Sequence, residues 1–332
     1  MSRQIVMVTG GAGFIGSNIT ADLLARGYEV SVCDDPGGDP WKWRNLSRLG
    51  IRDLVRPEHF FRWLDAHAGL LEAIVHMGAI SSTVEKDTAL LTRVNFGLSR
   101  DIFRWAAQHK SRFLYASSAA TYGDGSAGFH DREDRAYLGR LRPLTAYGRT
   151  KAVFDRFAAR QAERYLRPPQ WVGLKFFNVY GPNEEHKGAQ RSMVSQMWAQ
   201  TRAGGPVRLF RSLNPNYCDG CQLRDFVHVR DVCSVVGWLM GKPEVNGIYN
   251  FGTGVAVSFN DLAKALFAAI GRQPAISYFD PPGALASSYQ YCTTAEMAKL
   301  RSAGYCIPAT PVAAGVADYV QNYLSTLQPV DG

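Results

Sequence analysis

A short apolar run, Ile5–Thr9, passes directly into Gly10-Gly11-Ala12-Gly13-Phe14-Ile15-Gly16 and then into a helix-compatible stretch, 17–26. Glycines at 10, 13 and 16 between a strand and a helix restrict the fold more than any other feature of the 332 residues. The first permits a tight turn, the second lets backbone N–H groups approach a diphosphate, and the third lets helix and strand pack closely. Phe14 and Ile15 open the helix, whose first N–H groups carry partial positive charge towards an anion. A glycine triplet alone is weak, but strand before and helix after supply the context it requires. Asp34 completes the pattern, following the candidate strand 29–33, where a carboxylate can accept hydrogen bonds from an adenosine ribose. The motif predicts a dinucleotide site. Asp34 and Asp35 together disfavour a 2′-phosphate, whereas Lys42 and Arg44 in the same loop can neutralise one, so these residues leave NAD and NADP both open.

Short β-rich runs continue to alternate with helical stretches. Further strands are expected at 73–76, 112–117 and 171–177, and helices at 14–26, 56–71, 89–109 and 147–165. That alternation is the signature of a parallel sheet covered on both faces. After Gly181-Pro182 it weakens, leaving helices near 192–202 and 260–270, loops at 214–222, and a late strand at 247–251. The expected fold is a Rossmann-type doubly wound parallel sheet over 1–180, to which elements near 225–255 return. A smaller C-terminal α/β substrate-binding lobe takes most of 181–332.

Composition excludes several classes. Hydrophobic residues at 46% and charged residues at 20% describe an ordinary globular chain. No apolar run approaches the roughly 20 residues of a membrane span. Met1-Ser2-Arg3-Gln4 leads straight into the first strand, leaving no room for a secretory signal, and the cytoplasm is the expected compartment. A net charge of +8 raises nucleic acid as a partner, but the basic residues are scattered and form no block. A cationic surface equally suits an enzyme whose cofactor and substrate are anionic, so no nucleic-acid partner is expected. Of six cysteines only Cys218-Asp219-Gly220-Cys221 forms a close pair, with no second pair to complete four zinc ligands. Free thiols in a loop, and no metal, are the expectation.

Tyr147-Gly148-Arg149-Thr150-Lys151 sets a phenol and an ammonium four residues apart on one helix face. A phenol with a pKa of about 10 is a poor base at neutral pH, and a neighbouring cation stabilises its phenolate. Upstream, Tyr115-Ala116-Ser117-Ser118-Ala119-Ala120-Thr121-Tyr122-Gly123 places serines at the carboxyl end of a strand, where open α/β sheets bind their ligands. Glycine fingerprint, strand-end serine and Tyr-x-x-x-Lys, in this order, are hard to obtain by accident.

With these residues in hand, the chain resembles the extended short-chain dehydrogenase/reductase family over nearly its whole length. The resemblance implies that Ser118 orients a substrate hydroxyl, Tyr147 is the acid/base, and Lys151 binds the nicotinamide ribose while lowering the tyrosine's pKa. It also brings Gly78, Ala79 and Asn95 to the cofactor, Asp53 and Leu54 to the adenine, and Ser81 and Asn178 to the substrate. A finer likeness, carried by His76-Met77-Gly78-Ala79-Ile80-Ser81-Ser82-Thr83, Phe177-Asn178-Val179-Tyr180-Gly181-Pro182, Glu185-His186-Lys187-Gly188, Arg224-Asp225-Phe226-Val227 and Ser288-Tyr289-Gln290, is to the family's epimerases of ADP-activated heptose. It implies inversion of one sugar carbon, in the supply of lipopolysaccharide core, through a transient ketone. Lys187 becomes the second acid/base, His186 and Ser192 substrate contacts, and Lys42 the partner of a 2′-phosphate, which favours NADP. Arg224 can grip a substrate diphosphate, and Tyr289 reaches the sugar or the nucleotide. Ala189-Gln190-Arg191, standing before Ser192-Met193, departs from the family pattern. A homo-oligomer is the expected assembly.

Three alternatives are weighed. A UDP-hexose 4-epimerase shares fold and chemistry. A 4,6-dehydratase requires an acid and a base where this chain has Ala119 and Ala120. A cofactor sensor without catalysis has no need of Ser118, Tyr147 and Lys151 together.

Overall fold

The computed structural model describes residues 5–82, 85–283 and 290–327. Seven strands form one parallel sheet. In chain order its first six are β1 (Ile5–Thr9), β2 (Glu29–Cys33), β3 (Leu54–Val55), β4 (Leu71–His76), β5 (Arg112–Ser118) and β6 (Trp171–Phe176). Two strands outside this sheet, β7 (Asn178–Tyr180) and β8 (Val207–Phe210), follow, then β9 (Leu223–His228), and β10 (Gly247–Phe251) returns to its edge. The spatial order is β10-β6-β5-β4-β1-β2-β3, so the chain reverses direction across the sheet between β1 and β4. Open α/β sheets bind ligands at such a switch point. β1 and β6 are buried throughout, as strands covered on both faces must be.

The helices that position the site are α1 (Phe14–Ala25), α2 (Pro40–Leu46), α3 (Phe60–His67), α4 (Thr88–Leu91), α5 (Ser99–Gln108), α6 (Arg135–Arg140) and α7 (Ala146–Glu163). Beyond them lie α8 (Met193–Arg202), α9 (Val229–Met240) and α10 (Phe259–Ala269). A second apolar core gathers Val194, Met197, Leu209, Leu266 and Tyr319 beneath β8 and β12 (Ile276–Phe279), once β11 (Ala256–Ser258) has paired antiparallel with β9. Among the described residues no helix is long and apolar enough to cross a membrane.

Several local expectations change. The helix expected over 56–71 is shorter: Pro57–His59 forms a 3-10 turn, α3 ends at His67, and buried Leu71 starts β4. The helix expected over 89–109 is broken by a π-helical stretch, Thr92–Leu98, that widens the turn around Asn95. Helix α9 was not expected at all. Its Val-rich sequence, VRDVCSVVGWLM, is buried along most of its length against α1, and the less buried Arg230, Ser234 and Trp238 share its outer face. The expectation of free thiols at 218 and 221 is corrected. Cys218 and Cys221 form a disulfide with their Cα atoms 5.2 Å apart, because Gly220, at φ +70°, turns the loop back on itself.

Beneath the carboxyl ends of β5 and β6 lies a buried ion pair. Lys175 on β6 and Asp155 on α7 are both fully buried, with Nζ and Oδ2 2.6 Å apart. The Asp155 carboxylate also accepts hydrogen bonds from Tyr115 Oη at 3.0 Å and Ser117 Oγ at 2.8 Å. Lys175 donates to Thr121 Oγ1 at 2.6 Å and stands over the Tyr122 ring. Two strands, one helix and one loop are thus joined at a single charge pair. Removing one partner strands the other charge in the interior, which costs about 3–5 kcal/mol. Lys175→Met and Asp155→Asn should each lower unfolding stability by that amount in urea titrations, and the double replacement by an apolar pair should cost less than either single change.

Candidate active site

A cavity of about 760 Å³ opens over the carboxyl ends of β1, β4, β5 and β6. Its floor is the glycine loop. Gly10 takes φ +69°, and a Cβ there would lie 2.6 Å from the Cα of Gly78. A Cβ on Gly16 would lie 2.1 Å from the carbonyl oxygen of Gly10, so helix and loop touch where only hydrogen fits. Gly13 N-caps α1 without a side-chain hydrogen bond, and the first turn carries no acidic residue. The open N–H groups and the space a side chain would fill suit the diphosphate of a dinucleotide.

Asp34 ends β2 beside this loop. Its Oδ2 accepts from Ala12 N at 3.0 Å and its Oδ1 lies 3.4 Å from Lys42 Nζ. Both side chains line the cavity, so the ribose-side carboxylate arrives already paired with a cation. On the β4 side, Gly78 N donates to Thr9 Oγ1 at 3.2 Å. Thr9 is in turn bonded to the ring of His76, which burial pushes down to about 3 and holds neutral.

Ser118, Tyr147 and Lys151 all line the same cavity. Thr145 caps α7 by accepting from Gly148 N at 3.0 Å, which sets Tyr147 in the first helical turn. Ser118 accepts from Ala120 N at 3.1 Å, and its hydrogen bond to Tyr147 favours phenolate. Burial outweighs that bond and raises the phenol above its ordinary range, with Asp155 adding to the effect. Lys151 Nζ stands 6.0 Å from the centre of the Tyr147 ring and donates to Ala116 O at 2.8 Å. Its burial pushes the ammonium down to about 8, opposed by Asp155.

Lys187 reaches the cavity from a 3-10 turn, Glu185–Gln190, and stands 5.4 Å over the Phe14 ring. Burial lowers its pKa, opposed by Glu184. Glu184 itself is fully buried, accepting from Ser192 N, from Ser192 Oγ at 2.5 Å and from Tyr319 Oη at 2.9 Å. Among the residues of the Ala189-Gln190-Arg191 departure, Gln190 donates to Ser82 Oγ at 2.8 Å across the cavity mouth.

Of the expected site residues, Gly10, Gly13, Phe14, Ile15, Gly16, Asp34, Lys42, Gly78, Ala79 and Ser81 line the cavity with Ser118, Asn178, His186, Lys187 and Ser192. Five lie elsewhere. Asp35 is exposed and caps a turn at Gly37 N. Asp53 accepts from Ser31 Oγ and pairs with Arg52, while Leu54 packs on β2 and α2. Asn95 is buried behind the wall and clamps Ile80 through both its backbone groups, at 2.8 and 3.0 Å. Arg224 lies along β9, donating to Leu223 O and stacking over Phe259. Tyr289 falls outside the described residues. Met77, Ile80, Phe176 and Met193 also line the cavity but were not singled out, since apolar walls carry no spacing signal.

A dinucleotide cradle, a strand-end serine and a Tyr-x-x-x-Lys pair sharing one cavity define a nicotinamide-dependent enzyme of the short-chain dehydrogenase/reductase class. The chain belongs to the NAD dependent epimerase/dehydratase family, whose model matches residues 6–252. It is 44% identical over 326 residues to the ADP-L-glycero-D-manno-heptose-6-epimerase of Nitratidesulfovibrio vulgaris strain DP4, covering 97% of this chain and 99% of that one. It resembles the crystal structure of Helicobacter pylori ADP-L-glycero-D-manno-heptose-6-epimerase with a TM-score of 0.79 and 25% identity over 98% of this chain and 97% of that one. The UDP-glucose 4-epimerase of Thermus thermophilus, solved in complex with NAD, superposes with a TM-score of 0.75 and 26% identity, covering 98% and 100% of the respective chains.

The depressed Lys151 pKa has a stability consequence. Its folded value of about 8 lies below the ordinary 10.5, so the unfolded chain binds more protons between them. Stability from this group therefore rises with pH through that window, and its penalty is complete below it. Lys151→Met should flatten the dependence of the urea midpoint on pH between about 8 and 10 relative to the unsubstituted protein.

Proposed function

We propose that this chain epimerises a nucleotide-activated sugar, inverting C6 of ADP-glycero-manno-heptose with NADP bound in the glycine cradle. The observation that carries the reading is two proton-handling side chains, Tyr147 and Lys187, lining one cavity with a single dinucleotide cradle. A dehydrogenase that works on one face of its substrate needs one such group, whereas an epimerase must serve an oxygen presented in two orientations. The names of the relatives supply the sugar.

A bound nicotinamide supplies reversible hydride acceptance, which takes C6 through a ketone and back. Every proton movement falls to the chain. In one orientation Tyr147, as phenolate, takes the C6 hydroxyl proton, with Ser118 holding that oxygen. In the other, Lys187 gives a proton to the carbonyl oxygen as the opposite configuration forms. Burial suits Lys187 to this work, because a desolvated ammonium releases its proton more readily than an exposed one. Lys151, held by Ala116 O near the Tyr147 ring, supplies positive charge beside the phenol.

For the cofactor, Lys42 supports NADP. It lines the cavity beside Asp34, and the Asp34 carboxylate is already engaged by Ala12 N. A 2′-phosphate at this corner meets a cation that offsets the acidic neighbour.

Four experiments test the proposal. ADP-D-glycero-D-manno-heptose and UDP-glucose are offered side by side, and only the first should be epimerised. Tyr147→Phe and Lys187→Met should each lower turnover by about 10²–10⁴-fold while dinucleotide binding persists; full turnover by Lys187→Met would remove it from the chemistry. Lys42→Ala should weaken NADP binding by about 10-fold or more, the scale of a lost charge-assisted contact, and leave NAD within a factor of two. Mass spectrometry of the co-purifying nucleotide should find NADP.

A further inference from the structure

His186 precedes the proposed base Lys187, and the sequence offers it as a substrate contact. Its surroundings point elsewhere. Three hydrogen bonds seat its segment on the dinucleotide-binding elements: Asn18 Nδ2 to Pro182 O at 2.9 Å, Asn183 Nδ2 to Ser17 Oγ at 3.0 Å, and Asn45 Nδ2 to Asn183 O at 3.3 Å. Ser17 and Asn18 belong to α1, and Asn45 belongs to α2, whose side chain also holds Ala12 O in the glycine loop at 3.0 Å. His186 is thereby brought over Gly13. A Cβ on Gly13 would lie 3.9 Å from His186 Nε2, so this ring edge faces the space the fingerprint keeps clear.

The other edge decides the tautomer. Among the described residues, His186 Nδ1 is buried without a hydrogen-bond partner. Burying an N–H unpaired costs more than burying a lone pair, since the donor loses its whole hydration. The proton of the neutral ring therefore sits on Nε2, and burial together with Lys42 holds the ring below the ordinary histidine range, hence neutral at pH 7. An Nε2–H on this cavity-lining edge stands beside Gly13, the N-cap of α1, where an anion can accept from both.

Resting on the reading of this cavity as a nicotinamide-dependent epimerase site, we propose that His186 donates its Nε2–H to the diphosphate of the bound dinucleotide. The loop that carries Lys187 is thus locked in place by the cofactor itself. The substrate also carries a diphosphate, but the contact with Gly13 and the anchors on α1 and α2 favour the dinucleotide as its source.

The test is calorimetric titration of the full-length protein, stripped of nucleotide, with NADP and with NAD. The second arm titrates ADP-mannose into protein saturated with NADP. His186→Leu should weaken both dinucleotides about 10- to 100-fold, the scale of a lost hydrogen bond to a charged acceptor. It should leave ADP-mannose within threefold. His186→Gln, whose amide nitrogen reaches the Nε2 position, should restore dinucleotide affinity to within threefold, and His186→Asn should not. This rescue separates a donor at Nε2 from a residue that merely packs the loop. Weakening confined to NADP would place the histidine on the 2′-phosphate. Weakening confined to ADP-mannose would place it on the substrate, and unchanged affinity in the Leu variant would deny it any anion, so each of the three overturns the proposal. Absence of dinucleotide binding by the unsubstituted protein would instead defeat the underlying reading of the cavity.

Discussion

A single carboxylate, Asp155, ties the reacting face of this protein together. It lies one turn beyond Lys151 on α7 and accepts hydrogen bonds from Tyr115 and Ser117 on β5 and from Lys175 on β6. Lys151 in turn binds Ala116 O on β5. Helix and strand are thus stitched at consecutive positions, from Tyr115 through Ala116 to Ser117, immediately before Ser118. A shift of α7 against β5 large enough to separate Tyr147 from Ser118 would have to break a buried charge pair. The interior is therefore most rigid where Ser118 and Tyr147 meet.

The same burial that rigidifies the site also sets its proton affinities, and each lysine meets it differently. Lys175 has an anionic partner in contact at 2.6 Å and two further contacts, so its charge is answered. Lys151 has only a backbone carbonyl as its hydrogen-bond acceptor, and burial takes it down to about 8. Lys187 has Glu184 nearby, but that carboxylate already accepts from Ser192 and Tyr319. Burial outweighs the remaining attraction and lowers the Lys187 pKa. Desolvated in this way, Lys187 releases its proton more readily than an exposed lysine. An ammonium is adaptable in this way, whereas a guanidinium keeps its charge.

Local spacing carried much of this into the sequence. The glycines at 10, 13 and 16 and the Tyr147–Lys151 pair are legible because each acts through neighbours on one element, so the constraint is written in consecutive residues. Asp155 stands at the same four-residue interval from Lys151, yet a helix charge at that spacing reads as a solvated surface pair, and nothing local marks it as buried. Its partner Lys175 is 20 residues away on a strand whose apolar neighbours suggest only a core position. Asn95 was placed at the cofactor by likeness; the contact it makes here, holding both backbone groups of Ile80, comes from a π-helical turn that no period anticipates. Helix α9 escaped notice because its valine-rich sequence follows β9 with no loop between them, so its β-branched residues read as more of the strand. The cysteines at 218 and 221 were judged by the absence of further ligands, whereas their pairing depends on one glycine's φ.

The segment 182–192 is where the two cores of the protein meet the cavity together. Its first half is fastened to α1 and α2 by Asn18, Asn45 and Asn183. Its second half is fastened to the C-terminal elements, where Tyr319 donates to Glu184 and Tyr323 donates to Glu185. Tyr319 is also part of the second apolar core, so the position of Lys187 depends on the packing of both cores at once. Neither core alone brings both side chains to the cavity: Tyr147 comes from a helix of the parallel sheet, and Lys187 from a turn strung between the sheet and the smaller lobe. Side chains on a single helix face approach a cavity from one direction, so groups on independent supports can meet its contents from two. The proposed epimerisation rests on that arrangement, with a short loop, rather than a second helix of the sheet, carrying the proposed second base.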